Sequence, residues 1–335
     1  MSNTSVIVAK LTSDKGINYF NIVLMVLSVI AAYIIPFELF LFSYAVLGPL
    51  HYLTEISWLE KKNYFIKSKN DIWIFVLLVV FITIGLFNKG SKTNLFLASF
   101  LFSAFVYGLI ILFIENKVVK FFLIFITFIV SLAFKFNHFP SLPFMLFAVW
   151  LPTIIHVYIF TGLFMLYGAL KSRSRSGILS ILVFIICALT FFIYTPDHIG
   201  IPVTNYGREA YSFFALLNRS LYQFLGYGDL NINDEVLFFG AKSIIIMRFI
   251  AFAYTYHYLN WFSKTTVIKW NDVSKKRMSI IVALWILSVS LYAFSYKTGF
   301  YALFLLSMLH VFLEFPLNYR SFIGIGQEVK AMIKK

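Results

Sequence analysis

Apolar runs close to the length of a bilayer-spanning helix recur from Asn18 to the C-terminus, separated by short polar segments. Nothing else in the sequence constrains the fold as strongly. A hydrocarbon core of about 30 Å is crossed by ~20 apolar residues in a helix. Lipid offers no partner to backbone N–H and C=O groups, so only elements that satisfy them internally can cross. The runs predict an all-α, polytopic transmembrane helix bundle, with residues 1–335 forming a single integral membrane domain. The spans fall near 18–35, 37–59, 72–87, 95–114, 119–135, 143–170, 178–194, 237–263, 278–297 and 299–319, about ten in all. Pro36 divides the first two, because proline ends a helix or starts the next. With 61% hydrophobic and 13% charged residues, 41 of them Phe, the chain lies far outside the composition of a soluble domain.

Loop charge orients the bundle, since Lys and Arg accumulate on cytoplasmic loops. The N-terminus, the loops after even-numbered spans and the C-terminal tail hold 20 of the 28 Lys and Arg residues. The opposite side holds 7, namely Lys89, Lys92, Lys135, Arg208, Arg219, Lys242 and Lys297, and Arg248 falls within a span. Both termini are therefore expected in the cytoplasm, in a bacterial inner membrane. The polar MSNTSVIVAKLTSDKG start lacks a small-residue cleavage site and reads as retained. The net charge of +14 follows from this topology and from anionic lipid headgroups, so no nucleic-acid partner is needed. Cys187, the single cysteine, rules out a disulfide framework or a cysteine-based metal site. The pattern fixes no oligomeric state.

One long external segment, 195–236, contains GREAYSFFALLNRSLYQFLGYGDL. Its aromatic and aliphatic residues at helical spacing predict an interfacial or re-entrant helix that either covers the bundle or gates it.

Six histidines divide into two groups. His138 and His198 lie in external loops, whereas His51, His156, His257 and His310 lie in even-numbered spans. Helices of one direction place these four 10, 15, 7 and 10 residues before their first cytoplasmic basic residue. At about 1.5 Å per residue, that is one band roughly 10–22 Å deep in the inner half of the membrane. Any one of them alone could be a core histidine bonded to a carbonyl. As a set they predict a shared metal, because neutral imidazole is the commonest metal ligand and stays uncharged when buried.

Two of the four have a glutamate four residues on, His51 with Glu55 and His310 with Glu314, which puts both groups on one helix face. Each carboxylate is expected to accept a ring N–H from a ligand histidine and fix its tautomer, with direct ligation or a headgroup contact as the alternatives. Four histidines would close a zinc site, whereas Fe(II) keeps positions for dioxygen and substrate, so Fe(II) is the expected metal and dioxygen the expected co-substrate. Tyr254, Tyr256, Asn260, Trp261 and Phe312 are candidates to line a substrate path.

The segments GPLHYLTE, LPTIIHVYIF, AYTYHYLNWFSKTTVIKW and LHVFLEFPLNYRSF together resemble the Brp/Blh family of membrane β-carotene dioxygenases. That family makes retinal by cleaving carotene at its central double bond. The likeness covers about 50 of the 335 residues. It implies ligand roles for His51, His156 and His257, a polyene substrate and a retinal-like aldehyde product. His310 is the fourth ligand by this chain's own pattern. Pro49 and His51 stand one residue further apart than in the family, Ala253 and Trp261 flank His257 where a second histidine would fall, and Phe160 and Thr161 replace an acid.

These features predict a non-haem iron oxygenase acting on an apolar polyene or other lipid within the bilayer. The same residues allow a His/Glu-lined transporter of protons or metal ions, a di-iron lipid hydroxylase or desaturase, and haem held by two histidines.

Overall fold

The structure, a computed structural model, describes residues 14–62, 71–87, 96–134, 138–196 and 200–334. It is 87% helix, with no strand among the described residues. The polar N-terminus, Lys89, Lys92, Lys135 and His198 lie outside them.

α1 (Asp14–Ile34) stops at Ile35, whose ψ of 57° leaves the helical region, and α2 (Pro36–Lys61) restarts on Pro36. Proline suits that position because its missing N–H would be unpaired in the first turn anyway. α3 (Asp71–Phe87), α4 (Leu97–Phe113) and α5 (Lys117–Ala133) follow, the last capped by the Asn116 side chain, which accepts from the N–H groups of Val118 and Val119. α6 (Leu142–Lys171) is π-helical from Met145 to Phe160 and α-helical beyond, and α2 carries a shorter π segment at Ser43–Leu47. α7 (Arg175–Ile193) begins on a Ser174 cap. Three short helices follow, α8 (Asn205–Tyr211), α9 (Ala215–Phe224) and α10 (Asp234–Phe239). α11 (Ala241–Ser263), α12 (Lys275–Phe294) and α13 (Tyr296–Ile333) complete the chain.

Among the described residues six helices, α1, α2, α6, α7, α12 and α13, are long and apolar enough to cross a membrane. Asp71–Gly85 and Leu97–Phe113 are apolar but shorter. Of the ten spans read from the sequence, six are matched by these full-length elements, and the others correspond to shorter or less apolar helices. α11 falls short on apolarity for a physical reason: 16 of its 23 residues are buried. It forms the axis of the bundle, touching α1, α2, α6, α7, α9 and α10, and meets protein where a peripheral helix would meet lipid. Lipid-type surface appears on the outer helices instead, with Phe121, Phe122 and Phe125 of α5 and Ile286 and Leu287 of α12 all exposed.

Within the segment 195–236 the described residues form α8 and α9 and the start of α10, with irregular backbone between α9 and α10. Trp150 of α6 donates to Ser220 of α9 at 2.8 Å, fastening that helix onto the bundle. A second fastening lies among α3, α4 and α5. Lys120 and Asp71 form a buried ion pair with Nζ–O distances of 2.6 and 2.8 Å, and the Tyr107 hydroxyl donates to the same carboxylate at 3.3 Å.

At about 1.5 Å per residue, α13 is roughly 57 Å long and exceeds the hydrocarbon thickness. Its last turn is exposed, and Glu328 pairs with Arg173 of the α6–α7 turn at 2.9 Å.

Candidate metal centre

Each of α2, α6, α11 and α13 contributes one histidine to a single interior point. His51, His156, His257 and His310 are 2%, 2%, 7% and 6% exposed. Their rings form a closed cycle, with centroids 4.6 Å apart for His51–His257, 5.0 Å for His257–His156, 5.2 Å for His156–His310 and 5.5 Å for His310–His51. His138 stands apart in an exposed turn.

Both glutamates face the same point. Glu55 Oε2 is 3.1 Å from His51 Nε2, the nitrogen that also faces His257 Nε2 at 3.0 Å. Glu314 Oε2 is 2.9 Å from His156 Nδ1 across the α13–α6 interface. Neither approach has the angles of a hydrogen bond: both Oε2 atoms and both ring nitrogens of His156 are buried with no hydrogen-bond partner, as are the Nδ1 atoms of His51 and His310. Each such orphan costs about 1–3 kcal/mol. Atoms that sit close without aligning on one another are aimed at a common third position, which is how the ligands of one cation are arranged.

The donor set fits a metal ion. With metal–nitrogen bonds of about 2.1 Å, ring centroids lie roughly 3.2 Å from the ion and adjacent ones roughly 4.6–5.6 Å apart, the range spanned by the four rings. Two overlapping triads, His51–His156–His257 and His51–Glu55–His310, have donor atoms within 4.8 Å of one another. Charge fits as well, since two buried carboxylates balance one divalent cation and leave the interior neutral.

The environment orients the rings. His257 Nδ1 and Thr161 Oγ1 are 2.8 Å apart, so Nδ1–H can donate to the hydroxyl and leave Nε2 free to face the centre. Thr161, at a position where the sequence shows only a missing acid, is the functional contact that sequence reading passes over. It stands five residues after His156, out of phase on an α-helix, and the π register of the preceding segment brings both to the same centre. Trp261 Nε1 donates to Thr54 Oγ1 at 3.0 Å, which holds the indole against His51.

A cavity of about 720 Å³ leads from this cluster to one end of the bundle. His51, Glu55, Thr161, His257 and Glu314 lie at its floor. Its outer wall is made by Lys171, Lys264 and Arg320 together with Asp14 and Gly177, at the C-terminal ends of α6 and α11 and the N-terminal ends of α1 and α7. α2, α6, α11 and the histidine half of α13 therefore run in one direction, toward the mouth.

Of the path candidates, Asn260 and Trp261 line this cavity. Tyr254 packs into an aromatic cluster with Phe40 and Tyr44, Tyr256 donates to Asn21 Oδ1 at 3.1 Å, and Phe312 stacks with Phe315. None of the three lines the cavity, because in a chain so rich in aromatics a ring near the site more often serves packing. No described residue of the 195–236 segment lines it either. Lys264, unremarked in the sequence, does: it is half-buried, no carboxylate pairs with it among the described residues, and burial lowers its ammonium pKa to about 8.

No family model matches the chain, and no curated protein or solved structure is found to be similar to it.

Proposed function

We propose that the chain is a membrane-embedded non-haem iron oxygenase whose substrate is an apolar polyene or lipid. The observation that supports this reading is the cycle of four buried imidazoles flanked by two carboxylates, of which His51, His257, Glu55 and Glu314 face a cavity large enough for a substrate. Fe(II), when bound by His51, His156, His257 and His310, would supply the activation of dioxygen. The protein's own part is to hold the ligands, exclude water and guide an apolar chain to them. Thr161 fixes the orientation of the His257 ring, Glu314 brings its carboxylate beside His156, and Trp58, Trp261, Met165 and Leu317 present the apolar wall.

In this reading the chain crosses a bacterial inner membrane ten times with both termini in the cytoplasm. The basic residues around the cavity mouth support that orientation. Oxidative cleavage of a carotenoid to a retinal-like aldehyde is the reaction that the family resemblance implies. The overlap of two donor triads at His51 favours a second reading, a two-metal site with Glu55 as ligand, of the kind used by lipid hydroxylases. Charge speaks for one metal: two divalent ions would leave two positive charges uncompensated in the interior.

Incubation of purified, iron-loaded protein with β-carotene and oxygen, followed by extraction, tests the reaction. Aldehyde that forms with wild type and not with His257→Ala supports cleavage. Oxygen uptake that no polyene or lipid stimulates contradicts the oxygenase reading.

A further inference from the structure

The cavity that ends at the histidine cluster is not apolar throughout. Its waist is aromatic and aliphatic, and its outer wall is cationic. Lys264 stands seven residues, about 10 Å of helix rise, beyond His257 on α11. Arg320 stands six residues beyond Glu314 on α13, and Lys171 closes the α6 side with its ammonium 5.6 Å from the Tyr167 ring. Among the described residues Asp14 is the one acid on this outer wall, and it is exposed. Lys264 differs from an ordinary basic residue at a membrane rim. It faces into the cavity, is only partly accessible and has no carboxylate beside it among the described residues. A desolvated cation without a counter-ion, at the mouth of an apolar channel, is costly unless an anion completes it. A hydrocarbon such as carotene would leave it uncompensated.

We propose that the cavity takes a long-chain amphiphile with an anionic head, a carboxylate or a phosphate, bound at Lys264 with support from Lys171 and Arg320, while the apolar chain runs past Trp58 and Trp261 toward the metal centre. This rests on the oxygenase reading of the same cavity and narrows its substrate. The head anchors in the half of the bilayer where α6 and α11 end. The metal centre would then face the bound chain about 10 Å from its head, the rise that separates Lys264 from His257.

Trp58 and Trp261 supply a direct readout, since bromine on a bound chain quenches nearby indole fluorescence. Purified full-length protein in neutral detergent is titrated with dibromostearate and with its methyl ester, and a Trp58→Phe/Trp261→Phe variant provides the background. The acid should bind about tenfold or more tightly than the ester, the worth of one hydrogen bond to a charged group. Lys264→Met should abolish that preference and Lys264→Arg should retain it, with bound iron at the wild-type level in both. Competition by an alkyl phosphate of equal length would extend the site to anionic heads at large, and failure to compete would restrict it to carboxylates. Equal binding of acid and ester, or a preference that survives Lys264→Met, overturns the proposal. Iron content is read on the same samples. Protein that prefers the acid but holds no iron removes the oxygenase reading and leaves anionic recognition standing, whereas iron without the preference does the reverse.

Discussion

Glu314 Oε2 of α13 lies 2.9 Å from His156 Nδ1 of α6, with neither atom hydrogen-bonded to the other. The contact joins two helices that are far apart in sequence, and it carries charge to the one interior point where four imidazoles meet. Glu314→Gln keeps the shape of that side chain and removes its charge. Metal affinity should fall by about 10–100-fold, the usual worth of a carboxylate that supports a ligand. His156→Ala should lose the metal more completely. Equal loss in both variants would make Glu314 itself a ligand, and competition with a calibrated chelator measures the difference.

Thr161 tests orientation separately from charge. Thr161→Val removes the partner of His257 Nδ1 without changing volume, so bound metal should again weaken by about tenfold or more. Thr161→Ser keeps the hydroxyl and should behave as wild type. A valine variant with unaltered affinity would mean that packing alone holds the His257 ring.

The buried Lys120–Asp71 pair should be sensitive to its neighbours in a characteristic way. Lys120→Ala leaves the Asp71 carboxylate buried and unpaired, and stability should drop by about 3–5 kcal/mol. Replacing both partners, Asp71→Leu with Lys120→Met, should recover most of the loss. Thermal unfolding in detergent checks this, and a double variant no better than the single would show that the pair is solvated.

Gly108 sets the distance between α4 and α13. A Cβ there would come within 2.7 Å of the Cβ of Phe315, the residue next to Glu314. Gly108→Ala should therefore cost about 1–3 kcal/mol through overpacking and, by pushing α13 outward, weaken metal binding too. Stability lost with metal affinity intact would uncouple that helix contact from the site.

How much of this was legible in the sequence depends on the physics behind each feature. Apolar runs announce helices because lipid forbids anything else, and Pro36 marks the α1–α2 break because proline lacks the N–H. The His-x3-Glu spacing of His51 and His310 reads directly as one helix face. Depth along parallel helices brought the four histidines into one band. The number of full-length spans was less legible, because α11 sits on the bundle axis and tolerates Arg248, Tyr256 and Asn260 where a lipid-facing helix would not. The π phase of α6 left no local signature, so Thr161 read as a missing acid rather than as a partner of His257. Nothing in the order of residues says that α3 and α5 bury Lys120 and Asp71 against each other.

Metal analysis of purified wild-type protein, combined with its absorption spectrum, tests the four-histidine centre most directly. The expected result is iron in stoichiometric amount with no Soret band, retained after dialysis and lost on substitution of His51, His156, His257 or His310 by alanine, while His138→Ala keeps it. Wild-type protein that holds no transition metal, or holds as much after those four substitutions as before, would contradict a metal centre at the floor of the cavity.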